Sequence, residues 1–141
     1  MRYVLDSSVA FKWVVAEAGQ GAALRLRDDW RAATHELLAP DVFPLEIAHA
    51  LTRAERQGRV PVGDSDFLWA EVMGTQPIFH SSVPLAPRAI AISSAHRIGA
   101  YDCLYVALAE QERCEFITAD DRLLRVLSAV FPFVRSLASF P

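Results

Sequence analysis

Residues 2–11 read Arg2-Tyr3-Val4-Leu5-Asp6-Ser7-Ser8-Val9-Ala10-Phe11, and the fold turns on how that stretch divides. The apolar run ending at Leu5 predicts a short buried strand over Arg2–Asp6. Ser7 or Ser8 then caps a helix through about Val15. A strand passing straight into a helix, with an acid at the joint, is the repeating unit of an α/β sheet.

The same pattern continues along the chain. Gly19–Gly21 breaks the first helix and Ala22–Arg31 resumes one. Leu37–Ala39 is a short strand stopped by Pro40. Pro44 to Gln57 is a helix with Leu45, Ala48 and Leu51 at core spacing and Gly58 as its stop. Asp64–Met73 is helical, Ile78–Val83 a marginal edge strand, and Pro87–His96 a helix ending near Gly99. Tyr101–Glu112 is apolar enough to be the central helix. Glu115–Thr118 is a strand, Arg122–Ser128 a helix and Phe133–Arg135 a last strand. Alternating strands and helices favour a mainly parallel central sheet covered on both faces, a three-layer α/β/α arrangement. No repeat, low-complexity tract or linker interrupts it, so residues 1–141 are expected to form a single domain.

A chain of 141 residues with 52% hydrophobic and 22% charged side chains can build a core without staples; roughly 68% of its unfolded surface is buried at this size. Cys103 and Cys114 lie in apolar runs and read as reduced fillers, and no zinc-type spacing exists. Arg2, Asp6 and Lys12 interrupt any signal-peptide core, and no apolar run approaches the roughly 20 residues of a membrane span. A cytoplasmic protein without membrane association is expected.

Four acids stand where apolar segments end or helices begin: Asp6, Glu46, Asp102 and Asp120. Each has a plain explanation as a helix cap or first-turn residue. Glu46, between Leu45 and Ile47, fits that explanation least well. Together they point elsewhere, because a parallel sheet gathers its strand ends and the following helix starts into one crevice. Carboxylates a few Å apart raise each other's pKa unless a cation lies between them. Hard oxygen donors of this kind suit Mg²⁺ or Mn²⁺.

Net charge is −3, which argues against a nucleic-acid partner until those four acids are set aside. Then 17 − 4 = 13 acids face 14 bases, and thirteen of the bases are Arg, the better fork for phosphate. Arg53, Arg56 and Arg59 recur every three residues, and Arg122 and Arg125 follow Asp120.

The segments YVLDSSVAFKW, EIAHALTRAERQGR, AYDCLYVALAE and FITADDRLL resemble, in order and spacing, the PIN-domain toxins of bacterial and archaeal toxin–antitoxin pairs, the VapC type. The resemblance spans nearly the whole chain and is least distinctive between about Gly58 and Val83. It implies a PIN-like fold and an Mg²⁺- or Mn²⁺-dependent endoribonuclease, usually a homodimer, held inactive by a small VapB-like antitoxin. Asp6, Glu46, Asp102 and Asp120 then match the family's metal-binding acids, and Ser8 and Thr118 its small supporting hydroxyls. Two positions depart from the pattern. His49 stands where the family often has Asn, and Asp121 adds a carboxylate beside Asp120, so both become candidates for a supporting role.

Single-stranded or looped RNA is the expected substrate, since unstacked nucleotides reach a recessed site. Tyr3, Trp13, Trp69 and Tyr101 are candidate stacking residues, although a core position is the simpler reading of each. Trp13, Trp30, Phe67, Leu68 and Trp69 are more apolar bulk than one domain of this size readily buries, which favours association. Two other classes compete. Glu46-Ile-Ala-His49 has the E-x-x-H spacing of di-iron carboxylate bundles, but only one copy is present. A non-catalytic α/β binding module could hold a structural ion with the same acids.

Overall fold

The computed structural model describes residues 1–140. Strand β1 spans Arg2–Leu5, followed by helices α1 (Ser7–Phe11) and α2 (Gln20–Arg31). Strand β2 (Glu36–Pro40) leads into α3 (Phe43–Arg56) and α4 (Ser65–Met73). The short β3 (Ile78–His80) is joined by a 3₁₀ turn at Val83–Leu85 to α5 (Ala86–His96) and α6 (Ala100–Glu112). Strand β4 (Glu115–Thr118), α7 (Asp121–Leu127), β5 (Val134–Ser136) and a 3₁₀ turn at Leu137–Ser139 complete it.

The five strands lie in the order β3-β2-β1-β4-β5. Every pairing is parallel, with Tyr3 opposite both Leu37 and Glu115. The first strand in sequence is therefore the middle strand in space. Right-handed crossovers fix the layers. The steps from β1 to β2 and on to β3 run one way across the sheet and place α1–α4 on one face. The return from β3 to β4 and the step to β5 run the other way and place α5–α7 on the opposite face.

Helix α6 packs across β1, β2 and β4 with α5 behind it, which accounts for its composition. Cys103 through Ala109 are all buried, so the helix is apolar all round rather than along one stripe. Cys103 and Cys114 are both free thiols. Among the described residues, no helix is long and apolar enough to cross a membrane.

Two expected elements come out shorter. The first helix stops at Phe11, and Lys12, Trp13 and Val14 continue in tighter turns whose N–H groups reach back three residues. A regular helix would put Phe11 and Trp13 on opposing faces, whereas both are buried here and the Trp13 indole donates to the Ala23 carbonyl at 2.9 Å. The edge strand ends at His80 instead of Val83. Ser82 turns its N–H and hydroxyl onto Asp41, and Pro84 has no N–H to offer a ladder. Strand β2 is one residue longer at each end than expected, Glu36–Pro40, and closes on Pro40, which has no N–H to carry the ladder further.

Leu108, fully buried in α6, and Phe67, 71% exposed on α4, give a direct check of this packing. Leu108→Ala is expected to cost about 2–5 kcal/mol in urea unfolding. Phe67→Ala should stay within about 0.5 kcal/mol of the parent. Equal effects would mean that the layers are misassigned.

Candidate functional site

Asp6 follows β1 directly and is only 4% exposed. Its N–H donates to the Ile117 carbonyl at 3.0 Å, extending the β1–β4 ladder by one step. Its carboxylate Oδ2 accepts from the Thr118 hydroxyl at 2.6 Å and the Ser8 hydroxyl at 2.7 Å. Asp6 occupies the N-cap position of α1 but makes no side-chain cap bond, so capping does not explain it. Nor does Ser8 cap that helix, because its hydroxyl is committed to the buried carboxylate. Burial pushes the Asp6 carboxyl above its ordinary value and Asp120 adds repulsion, while the two hydroxyls pull against both.

Asp120 is an N-cap, as its local sequence suggests. Its Oδ1 accepts the N–H groups of Arg122 and Leu123 at 3.0 and 3.2 Å. Its Oδ2 has no hydrogen-bond partner among the described residues. Asp102 sits in the first turn of α6, and burial, with repulsion from Asp6 and Asp120, raises its carboxyl to about 6. Glu46 sits in the first turn of α3, and burial raises it to about 7, with Asp6 and Asp102 adding repulsion.

The Glu46 side chain is held by a residue that the sequence did not single out. Tyr105 Oη donates to Glu46 Oε1 at 2.5 Å. The Tyr105 ring is fully buried and stacked on Phe116, with centroids 5.7 Å apart. One signal was available: Tyr105 stands three residues after Asp102, on the same helix face, and a buried Tyr hydroxyl needs a partner.

The four acids face one open cleft of about 830 Å³. Ser7, Ser8 and Phe11 line it beneath them, Tyr101 lies beside Asp102, and His49, Arg53 and Arg59 extend it away from the acids. His49 is exposed there and makes no bond to Glu46, whose partner is Tyr105. Thr118 reaches the cleft only through Asp6. Asp121 begins α7, is exposed and does not line the cleft. Among the expected stacking residues, Tyr3 and Trp13 are core and Trp69 is half-buried with its indole on the Pro44 carbonyl, whereas Tyr101 is 64% exposed.

Among the described residues, none of the four acids forms an ion pair. Acids that repel one another, with free oxygens toward solvent and no cationic partner, suit a hard divalent ion as a donor set. They do not form a closed cage. Among the described residues, no three His, Cys, Asp or Glu side chains are drawn together tightly enough to chelate an ion. Repulsion between carboxylates works against a closer approach.

The PIN domain family matches this chain over residues 3–127. Two solved structures share its fold. PAE2754 from Pyrobaculum aerophilum has a TM-score of 0.69 at 19% identity, covering 99% of this chain and 94% of its own. VapBC2 from Rickettsia felis, solved bound to a DNA fragment from their promoter, has a TM-score of 0.61 at 12% identity, covering 96% and 97%. No curated protein matches the chain.

The raised carboxyls make stability depend on pH. Unfolded, Glu46 and Asp102 titrate near 4.5 and 3.8; folded, they hold protons up to about 7 and about 6. The folded chain binds more protons across that window, so their contribution is intact below about pH 4 and is lost as pH rises through 6 and 7. With a chelator present, Glu46→Gln should flatten the parent's fall in melting temperature between pH 5 and 8 by about 3 °C or more. A Glu46→Gln curve parallel to the parent's over that range would contradict the assigned burial.

Proposed function

The chain belongs to the PIN domain family, and from that premise we propose that it is a metal-dependent endoribonuclease, the toxin of a toxin–antitoxin pair. The observation that carries this reading is the convergence of Asp6, Glu46, Asp102 and Asp120, from four separate segments, on one cleft without an ion pair. Mg²⁺ or Mn²⁺ held by these acids would offset their charge and polarise a scissile phosphodiester.

The chain's own part follows from how each acid is held. Asp6 cannot swing, because Ser8 and Thr118 both grip Oδ2, so Oδ1 is the atom it offers. Asp120 spends Oδ1 on the helix cap and offers Oδ2. Glu46 has Oε1 fixed by Tyr105, which leaves Oε2 to orient a water. A carboxylate so placed can take the proton from that water as a general base. In-line attack on the phosphorus would leave a 5′-phosphate and a 3′-hydroxyl.

The partner reading rests on the VapC-like segments and on the fold shared with VapBC2. Leu45 and Phe67, each more than 70% exposed, supply apolar surface for an antitoxin or a second copy. The rival reading, a binding module with a structural ion, predicts RNA left intact in the presence of Mn²⁺. The di-iron reading does not suit a parallel sheet, since it needs a bundle of long helices.

Asp6→Asn and Asp102→Asn are each expected to slow cleavage of single-stranded RNA by more than about 100-fold. Asp121→Asn, outside the cleft, should keep the parent's rate. An Asp6 or Asp102 variant that cuts as fast as the parent at saturating Mn²⁺ would overturn the site. Expressed alone the chain should be toxic, and co-expressed with its operon neighbour it should elute as an inactive complex in size-exclusion chromatography with light scattering. A non-toxic monomer that recovers no partner would sink the toxin reading while leaving the nuclease.

A further inference from the structure

We infer that the cleft continues beyond the acids as a track for one RNA strand, in which Arg53 on α3 and Arg59 in the turn after it grip the backbone while Tyr101 stacks a base on the opposite lip. The inference rests on the reading above that RNA is cut at the acids, and it names the groups that hold the strand. His49, Ala50, Arg53 and the C-cap Gln57 follow Glu46 by three, four, seven and eleven residues, which puts them on one face of α3. All five line the cleft. At 1.5 Å rise per residue, Arg53 lies about 10 Å along the helix from Glu46, clear of the reacting phosphate.

The charges along this face are sorted. The acids occupy one end, and the far end is cationic. Arg53 is exposed and, among the described residues, has no side-chain hydrogen bond or ion pair. Arg59 is held over the Phe11 ring at 5.7 Å and bonded to Glu17 Oε2 at 2.6 Å. The other oxygen of Glu17 takes Lys12 Nζ at 2.8 Å. One carboxylate thus fixes two cations and neutralises only one of them, and with Arg53 the far end keeps an excess of positive charge. A guanidinium fork with free N–H groups fits a phosphate diester.

Tyr101 adds a different contact. It is the residue before Asp102, lines the same cleft and keeps 64% of its surface exposed. Its hydroxyl makes no hydrogen bond among the described residues, so the ring is a free face. Aromatic rings bind unstacked bases with little regard to sequence. A duplex has no such base to offer, which makes a single strand the fitting ligand. Arg56, on the same helix but outside the cleft lining, is an internal control.

The test is fluorescence anisotropy of a short labelled single-stranded RNA of mixed sequence, titrated with the full chain in EDTA so that nothing is cut. Arg53→Gln should weaken binding about tenfold at low salt and reduce the slope of log affinity against log salt by about 0.7, one phosphate contact. Tyr101→Ala should weaken binding by about tenfold with the slope unchanged, because stacking releases no counterions. Arg56→Gln should match the parent in both. The track is overturned if the parent binds no RNA, if Arg53→Gln behaves like Arg56→Gln, or if a duplex of the same sequence binds as tightly. Cleavage with Mn²⁺ is scored separately. A parent that binds with this pattern yet never cuts supports the track and overturns the nuclease reading, and a cutting enzyme indifferent to Arg53 does the reverse.

Discussion

A carboxylate withdrawn from water at the end of a central strand is costly unless donors meet it, and Asp6 is met by hydroxyls from two different segments. Those hydroxyls do more than satisfy it. Ser8 Oγ also accepts the Ala119 N–H, and Thr118 Oγ1 accepts the Asp120 N–H. The side chain of the first strand's terminal acid therefore shapes the turn that carries the fourth acid, more than a hundred residues away. The parallel register of Leu5 against Ile117 makes this possible, since it stops both strands at the same level. Helix α7 then starts at Asp120, which caps it with one oxygen and faces the cleft with the other.

Much of this was legible in the chain. Short apolar runs followed by a helix start marked β1 and β4, and unbroken apolar character marked α6 as central. Leu45, Ala48 and Leu51 marked α3 as a helix but misplaced its core face: Leu45 is 72% exposed, and Phe43, Ile47, Leu51 and Ala54 are the buried positions. The acids stood out because strand ends and helix starts are where a parallel sheet gathers its groups. Other features could not be read locally. The Tyr105–Glu46 bond joins residues 59 positions apart. Tyr101 looked like core from its neighbours, but it lies two residues ahead of Cys103, where the buried run of α6 begins. Asp121 is adjacent to Asp120 in sequence yet points elsewhere, because the helix begins between them. The early end of α1 came from the competing burial of Phe11 and Trp13, which no propensity reveals.

The charges divide the molecule into two regimes. Away from the cleft the ion pairs are largely at the surface, such as the bidentate clip of Arg88 on Glu110 between α5 and α6. Pairs this exposed contribute little to stability. In the cleft, burial is the largest influence on Asp6, Glu46 and Asp102, with mutual repulsion added to it. The apolar layers hold this strained region in place. Tyr105 belongs to both, its ring packed on Phe116 and its hydroxyl on Glu46, so the core sets the direction of one carboxylate.

The placement of the earliest strand in the middle of the sheet has a consequence for a chain emerging from the ribosome. β1 can pair with β2 early, but its other edge waits for β4, whose Glu115 lies opposite Tyr3. At cellular elongation speeds of about 5–20 residues per second, that delay is roughly 5–20 s. Throughout it Thr118 has not yet been added to the chain, so Asp6 lacks one of its two donors and half of the cleft's carboxylates are missing or unplaced. A nascent chain is thus incomplete at its chemical centre until Asp120 has been made, and any binding partner translated beforehand would already be waiting.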